Sequence, residues 1–199
     1  MNILKTIRSK INKIKGHDLF DGDDLLFKKE ISTIDTYGEY GVGETTIWAY
    51  KNTQVNIISV DTSLVWIEKV KSNIQESKRV DIGWIDLGEL KRWGQPISYD
   101  KKEFIYDYVK FIWSKKTKPQ LVLIDGRFRV CCFLYSLMQA SPGTKIIFDD
   151  YAKRPHYHIV EDFIKPTEIY GRQGLFIVPK NLDYKNIKKT VSKFLYVMQ

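Results

Sequence analysis

Cysteine and long apolar runs are scarce in this sequence, and each scarcity excludes a class of protein. The two cysteines, Cys131 and Cys132, are neighbours and poorly placed to form a disulfide framework, so we expect a reducing, cytoplasmic setting. Apolar runs such as 121–124 are far shorter than the roughly 20 residues of a membrane-spanning helix. The basic N-terminus lacks the apolar core and small-residue cleavage site of a secretory signal.

The composition that remains is that of a globular domain. Hydrophobic residues make up 43% and charged residues 28% of the 199 residues, which excludes a disordered, collagen-like or coiled-coil chain. The length provides one full core and is too short for two ordinary domains. We therefore expect a domain over residues 17–183, with a helix at each end over 1–16 and 184–199.

The positive charge is concentrated at the two ends of the chain. Lysine and arginine outnumber aspartate and glutamate by 32 to 24, a net charge of +8. Residues 1–15 hold five basic residues and 184–199 hold four, both without an acid, so the remaining body has 23 basic against 24 acidic residues. An enzyme acting on nucleic acid spreads basic residues around its cleft, so this distribution argues against a nucleic-acid partner.

Both basic ends have the pattern of an amphipathic helix, and each allows two interpretations. The helix could lie on an anionic membrane surface or a partner, as a peripheral contact through residues 1–15. Alternatively, its apolar face covers the core of the domain itself. At the N-terminus that face consists of Ile3, Ile7, Ile11 and Ile14. At the C-terminus it consists of Ile187, Val191, Phe194 and Leu195.

Strand-like and helix-like segments alternate between these ends. Strands are predicted over 36–40, 56–60, 80–85, 121–124 and 145–148. Helices are predicted over 45–50, 63–75, 102–113, 129–140 and 156–164. The alternation predicts an α/β fold with a doubly wound, mostly parallel, Rossmann-like sheet. Strand-like segments at 168–170 and 175–178, separated by glycines, add a C-terminal antiparallel hairpin.

Acidic residues follow successive predicted strands, and a glycine loop follows the first strand. Gly41 and Gly43 let the backbone turn sharply and let a ligand approach it closely. The later strands are followed by Asp61, Asp86, Asp125 and the pair Asp149 and Asp150. A carboxylate after the second strand can accept two hydrogen bonds from a ribose diol. Since ligands of such sheets bind at the carboxyl ends of the strands, we expect a small-molecule site along this edge.

The order Glu39-x-Gly41-x-Gly43, with Asp61 and Asp86 closing the next two strands, resembles the class I S-adenosylmethionine-dependent methyltransferases. The resemblance covers roughly residues 34–180, and the segments 124–129 and 148–151 also resemble small bacterial methyltransferase-like proteins. It implies S-adenosylmethionine as cofactor. Thr45 stands where many members have a third glycine.

The resemblance also implies roles for individual residues. The two glycines would let the cofactor approach the backbone, and the acid before them would help to hold its methionine end. The acid after the second strand would bind the ribose hydroxyls, and the pair after the third strand would border the adenine. In this sequence these residues are Gly41, Gly43, Glu39, Asp61, Asp86 and Leu87.

Asp125, Asp149 and Asp150 are expected to converge, because they follow two strands that are neighbours in this fold. Three converging carboxylates repel one another unless a cation or protons intervene. The layout is similar to metal-dependent small-molecule O-methyltransferases, which implies that these residues hold Mg²⁺. In the alternative interpretation, Arg127 and Arg129 pair with the aspartates and leave no room for a cation.

The expected reaction needs a group that removes a proton from the acceptor oxygen. The candidates are Asp125 together with a metal, or His156 and His158, which follow the fifth strand. Arginines are also expected at this edge, and they would either bind an anionic group of the acceptor or neutralise the aspartates. These are Arg127, Arg129 and Arg154.

The sequence therefore predicts methyl transfer to an oxygen of a small polar acceptor, sugar-like or phosphorylated, by a chain that could form a homo-oligomer. The first alternative is an enzyme that binds a nucleotide or NAD at the same edge. The second is a non-catalytic methyltransferase-like module that binds a membrane surface or a partner through its basic terminal helices.

Overall fold

A computed structural model describes residues 19–198, so the helix predicted over 1–16 lies outside the described residues. The described chain forms one sheet from β1 (Thr36–Tyr40), β2 (Asn56–Asp61), β3 (Val80–Trp84), β4 (Leu121–Ile124), β5 (Lys145–Phe148), β6 (Glu168–Tyr170) and β7 (Gln173–Ile177). The order across the sheet is β3-β2-β1-β4-β5-β7-β6. The first five strands are parallel, and β7 pairs antiparallel with both β5 and β6. The predicted α/β fold with its C-terminal hairpin is confirmed.

Helices cover both faces of this sheet. They are α1 (Leu25–Ile31), α2 (Glu44–Asn52), α3 (Leu64–Asn73), α4 (Ile105–Lys110), α5 (Arg129–Gln139) and α6 (Tyr184–Phe194). Short 3₁₀ turns occur at Phe20–Gly22, Arg92–Gly94, Lys102–Phe104, Phe111–Trp113 and Pro155–Asp162. The helix predicted over 102–113 is thus α4 flanked by two 3₁₀ turns, and the helix predicted over 156–164 is a 3₁₀ turn that begins at a proline.

The core lies on both sides of the central strands. All four residues of β4 are buried, because successive side chains of a strand point to opposite faces and both faces are covered. Val122 and Ile124 pack in the core under α4 and α5, whereas Leu121 and Leu123 pack in the core under α1 and α2. The apolar face of α6, with Ile187 and Val191 buried, packs on the first of these cores.

The register of the parallel strands brings the functional loops to one edge. Tyr40 at the end of β1 is aligned with Val60 on one side and with Ile124 on the other. Ile124 is in turn aligned with Phe148 at the end of β5. The strand order reverses between β1 and β4, which is the point where ligands bind in open α/β sheets.

Within residues 19–198, none of the helices combines the length and the apolar character that a crossing of the bilayer requires.

Candidate functional site

A cavity of about 630 Å³ lies at the point where the strand order reverses. It is lined by residues 41–45, which we call the loop and which run from β1 into the first turn of α2, and by Asp61 at the end of β2. Residues 125–127 after β4 and residues 19–21 also line it. The predicted small-molecule edge therefore contains a hollow of ligand size.

The two glycines of the loop serve different purposes. Gly41 has φ +96°, and a Cβ atom placed on it would lie 2.8 Å from the backbone N and Cα of Gly126. Only glycine avoids both the strained backbone and the collision. Gly43 has an extended backbone with φ −179°, and a Cβ atom there would have no neighbour within 4 Å. Gly43 therefore leaves space in the cavity, whereas Gly41 allows the loops after β1 and β4 to meet.

Glu39 lies beneath this loop and is fully buried. Its carboxylate accepts hydrogen bonds from the hydroxyls of Thr45, of Thr46 at 2.5 Å and of Ser59 at 3.1 Å. Burial raises the pKa of Glu39 to about 7. Glu39 does not line the cavity and instead holds the first turn of α2 from below, through the hydroxyls of Thr45 and Thr46.

Asp61 lines the cavity and is oriented by the main chain. Its Oδ2 accepts a hydrogen bond from the backbone N–H of Val42 at 2.9 Å, and its Oδ1 accepts one from Ser63 at 2.7 Å. Partial burial raises the pKa of Asp61 above its usual range. Each carboxylate oxygen can accept a further hydrogen bond, as a ribose diol would require.

The structure does not bring the predicted pair after β3 to the cavity. Asp86 is ion-paired with Lys101 and accepts a hydrogen bond from the backbone N–H of Gly88 at 2.9 Å, which lowers its pKa. Leu87 is buried in the core under α4 and α5. The physical reason is that Leu87, an apolar side chain, gains more from burial in the core than from lining a polar hollow.

Two tryptophans line the cavity instead, near Asp61. Trp93 is 60% exposed and has φ +66°, a conformation that non-glycine residues rarely adopt. Its turn is anchored by the hydroxyl of Thr62, which donates to the carbonyl oxygen of Gly94 at 2.7 Å. The indoles of Trp66 and Trp93 are nearly parallel, at an angle of 14° with centroids 6.5 Å apart. These two rings form an aromatic wall suited to a planar base.

The aspartates predicted to converge do so, with carboxylate oxygens within 4.8 Å of one another. Asp149 is fully buried and accepts two hydrogen bonds from Arg172, at 2.9 and 2.6 Å. Asp125 accepts one from Arg129 at 2.9 Å. Asp150 lies 3.3 Å from Arg129 and 2.7 Å from Arg154. Of the two interpretations that the sequence left open, the arrangement favours pairing with arginines.

Arg172 is the member of this cluster that sequence reasoning missed. It follows Gly171 in the turn of the β6–β7 hairpin and also lines the cavity. No periodicity or spacing connects it with Asp149, which is 23 residues away. The one available signal is the predicted hairpin itself, whose last strand pairs with β5 and so carries its turn to the carboxyl end of that strand.

Arg127 lines the cavity without a carboxylate partner within ion-pair distance in the described part of the chain. Its Nε is buried and has no hydrogen-bond acceptor. Burial and the charge of Arg129 lower the pKa of Arg127. A partly buried guanidinium without a counter-ion is suited to an anionic ligand.

Neither predicted histidine lines the cavity. His156 is exposed and its ring lies against Tyr157. The ring of His158 packs at a tilt of 37° against Tyr151, and its Nε2 lies 3.1 Å from the carbonyl oxygen of Tyr151. Among the predicted catalytic residues, the one that the structure brings into the cavity is Asp125.

Comparison with solved structures places this geometry in a known fold. A methyltransferase-like protein from Silicibacter pomeroyi is 26% identical and superimposes with a TM-score of 0.75, covering 85% of this chain and 91% of that chain. A methyltransferase from Geobacter sulfurreducens is 11% identical, with a TM-score of 0.52 and 90% of each chain covered. The chain has the class I methyltransferase fold, as the resemblance in its sequence implied. No protein-family model and no curated protein matches the sequence.

Proposed function

We propose that this chain transfers a methyl group from S-adenosylmethionine to an oxygen of a small polar acceptor that carries an anionic group, sugar-like or phosphorylated. One observation supports this most strongly. In a chain with the class I methyltransferase fold, the glycine loop, Asp61, Asp125 and Arg127 share one cavity where the strand order reverses. These residues offer a nucleoside site and a reaction site side by side.

The cofactor is proposed to lie along the loop 41–45. Its ribose hydroxyls would donate to the free lone pairs of Asp61, which the backbone N–H groups of Val42 and Ser63 already orient. Its adenine would lie against the indoles of Trp66 and Trp93, in place of the border predicted after β3. The space left by Gly43 allows the cofactor to approach the backbone.

Asp125 is proposed as the base. Burial and the negative charge of Asp149 raise the pKa of Asp125 above its usual range, which makes its carboxylate a stronger base than that of an exposed aspartate. The acceptor oxygen would give its proton to this carboxylate and attack the methyl carbon. The new O–C bond would form as the C–S bond breaks, and S-adenosylhomocysteine would leave.

Arg127 is proposed to hold the anionic group of the acceptor, because its charge lacks a carboxylate partner within the described residues. Arg127→Ala should raise the KM for the acceptor and leave the affinity for S-adenosylhomocysteine nearly unchanged. Arg127→Lys, which keeps the charge and loses the planar donor pair, should show a smaller rise. An unchanged acceptor KM in the alanine variant would remove Arg127 from this role.

Ligand-dependent thermal unfolding tests the cofactor. S-adenosylhomocysteine should raise the Tm by mass action, and NAD should not. Asp61→Ala should weaken binding of S-adenosylhomocysteine by roughly 1.5–3 kcal/mol, the usual range for hydrogen bonds to a charged group. Asp86→Ala removes the same charge outside the cavity and serves as the matched control.

Three results would contradict the proposal. Stabilisation by NAD alone would favour a different nucleotide enzyme. Equal losses in the Asp61 and Asp86 variants would mean that the nucleoside does not lie on Asp61. Absence of any response to S-adenosylhomocysteine would favour a non-catalytic module of this fold.

A further inference from the structure

The three aspartates that follow β4 and β5 hold their negative charges so close together that positive charge is needed beside them. Asp125, Asp149 and Asp150 bring their oxygens within 4.8 Å of one another, and Asp149 is fully buried. Carboxylates at this distance cannot all be ionised without positive charge close by. The described residues supply that charge as guanidinium groups.

Arg129 is locked between the two strand ends. Its side chain is 4% exposed, and all three of its nitrogens have acceptors at 3.3 Å or less. They bind the carboxylates of Asp125 and Asp150 and the carbonyl oxygens of residues 125, 126 and 149. A guanidinium held this way acts as a fixed ion at the centre of the cluster.

Arg172 supplies a further positive charge to the cluster from the turn of the β6–β7 hairpin. Its Nε and Nη2 bind the two oxygens of Asp149 at 2.9 and 2.6 Å, a planar two-point contact. Its Nε also lies 3.7 Å from Asp150, and its Nη1 binds the exposed Asp21 at 2.7 Å. Burial alone would lower the pKa of Arg172, but the contacts with Asp149 outweigh it and raise the pKa above its usual value. Arg172 therefore remains charged at every relevant pH.

A divalent cation does not fit beside these groups. Mg²⁺ requires an octahedral shell of oxygens at about 2.0–2.1 Å, whereas both oxygens of Asp149 and one of Asp125 already accept hydrogen bonds. A cation could enter only by displacing a guanidinium, because Arg129, Arg172 and the ion would repel one another.

We propose that Arg129 and Arg172, together with Arg154 on Asp150, do in this chain what a bound Mg²⁺ does at a cluster of carboxylates: they compensate the charge of Asp125, Asp149 and Asp150 and fix the geometry of this edge. The cluster is then independent of divalent metal, and it becomes a cation site only when Arg172 is removed. This inference holds whichever cofactor and acceptor the cavity takes, so it can fail or succeed separately from the proposed function.

The first test uses the unmodified chain. Its Tm should be the same after treatment with a chelator as in millimolar Mg²⁺, and added Mn²⁺ should keep the electron paramagnetic resonance spectrum of the free ion. A rise in Tm with Mg²⁺, or loss of the free Mn²⁺ signal, would overturn the proposal if Asp149→Asn abolishes the effect. An effect that survives in Asp149→Asn would place the ion elsewhere and support the proposal for this cluster.

The second test removes one guanidinium. Without divalent metal, Arg172→Gln should lower the Tm by about 10 °C, because it leaves a buried carboxylate without its partner. Millimolar Mg²⁺ should restore part of that loss, and the free Mn²⁺ signal should fall. Arg172→Lys keeps the charge, so its Tm should fall less and should not respond to Mg²⁺.

Two outcomes of this second test would overturn the proposal. In one, Arg172→Gln unfolds at the Tm of the unmodified chain in a chelator. In the other, it is destabilised but does not respond to divalent metal. If Arg172→Gln does not fold alone, the double variant with Asp149→Asn removes both charges and should recover folding. Failure of the double variant to fold would mean that Arg172 acts through packing rather than charge.

Discussion

The two halves of the cavity are built on different physical principles. The loop half consists of residues 41–45 and Asp61, and main-chain N–H groups hold the carboxylate of Asp61. The ionic half consists of Asp125, Asp149 and Asp150 with the arginines that pair with them. The first half depends on backbone conformation in the loop and at the end of β2, whereas the second depends on charges from β4, β5 and the hairpin meeting in space.

This difference has consequences for what each half can tolerate. The loop half, which is shaped by the backbone, loses its shape when an added side chain enters the cavity. The ionic half loses stability whenever one member of an ion pair is removed, because the remaining ion stays buried without compensation. Measurements of unfolding free energy on variants of each half should therefore separate the two.

The largest effect is expected in the ionic half. Asp149→Ala should lower the free energy of unfolding by about 3–5 kcal/mol, since it removes the fully buried partner of Arg172. Asp86→Ala, which breaks a solvent-exposed pair with Lys101, should change it little. Urea denaturation of both variants measures these two changes in the free energy of unfolding. Equal small losses would show that the ionic half does not depend on its charge pairing.

The buried acid beneath the loop half should make stability depend on pH. The pKa of Glu39 is raised in the folded chain from 4.5 to about 7, so between these values the folded state binds more protons than the unfolded state. Stability should therefore fall by about 3 kcal/mol as the pH rises through this window. In urea denaturation at about pH 5 and about pH 8, Glu39→Gln should flatten the dependence. An equal change in unfolding free energy between the two pH values, with and without Glu39, would contradict this assignment.

A smaller effect should distinguish the two glycines of the loop half. Gly41→Ala should cost about 2–3 kcal/mol of unfolding free energy, because alanine disfavours φ +96° and its Cβ would meet Gly126. Gly43→Ala should leave unfolding unchanged, since its backbone is extended and its Cβ faces open space. The same Gly43 variant should weaken S-adenosylhomocysteine binding by narrowing the cavity. Similar unfolding free energies for the two variants would contradict this division of roles.

The sequence predicted the sheet and the loop half well because both depend on local order. The β-branched and apolar runs of β4 and β5 identify buried parallel strands, and a residue that follows such a strand must lie at its carboxyl edge. Asp61, Asp125 and Asp149 therefore reach one edge without knowledge of any side-chain contact. The resemblance to the class I methyltransferases is confirmed for the fold by comparison with a solved structure.

The contacts that the sequence could not predict depend on tertiary structure. Arg172 reaches Asp149 only after β7 has paired with β5. Trp93 reaches the cavity through a positive-φ turn that residue type does not signal, because tryptophan rarely adopts it. The family resemblance assigns Leu87 to the adenine border, and the distance from a strand end assigns the two histidines to this edge. Neither signal says which way a side chain points.

If the cavity at the carboxyl edge is the proposed sulfonium nucleoside site, a crystal structure of the complex with S-adenosylhomocysteine will show the ligand in it. We predict electron density for the ribose hydroxyls on Asp61, for the adenine beside Trp93, and for the sulfur facing Asp125. Density for the ligand at any other surface, or a cavity that stays empty at saturating ligand, would contradict this assignment.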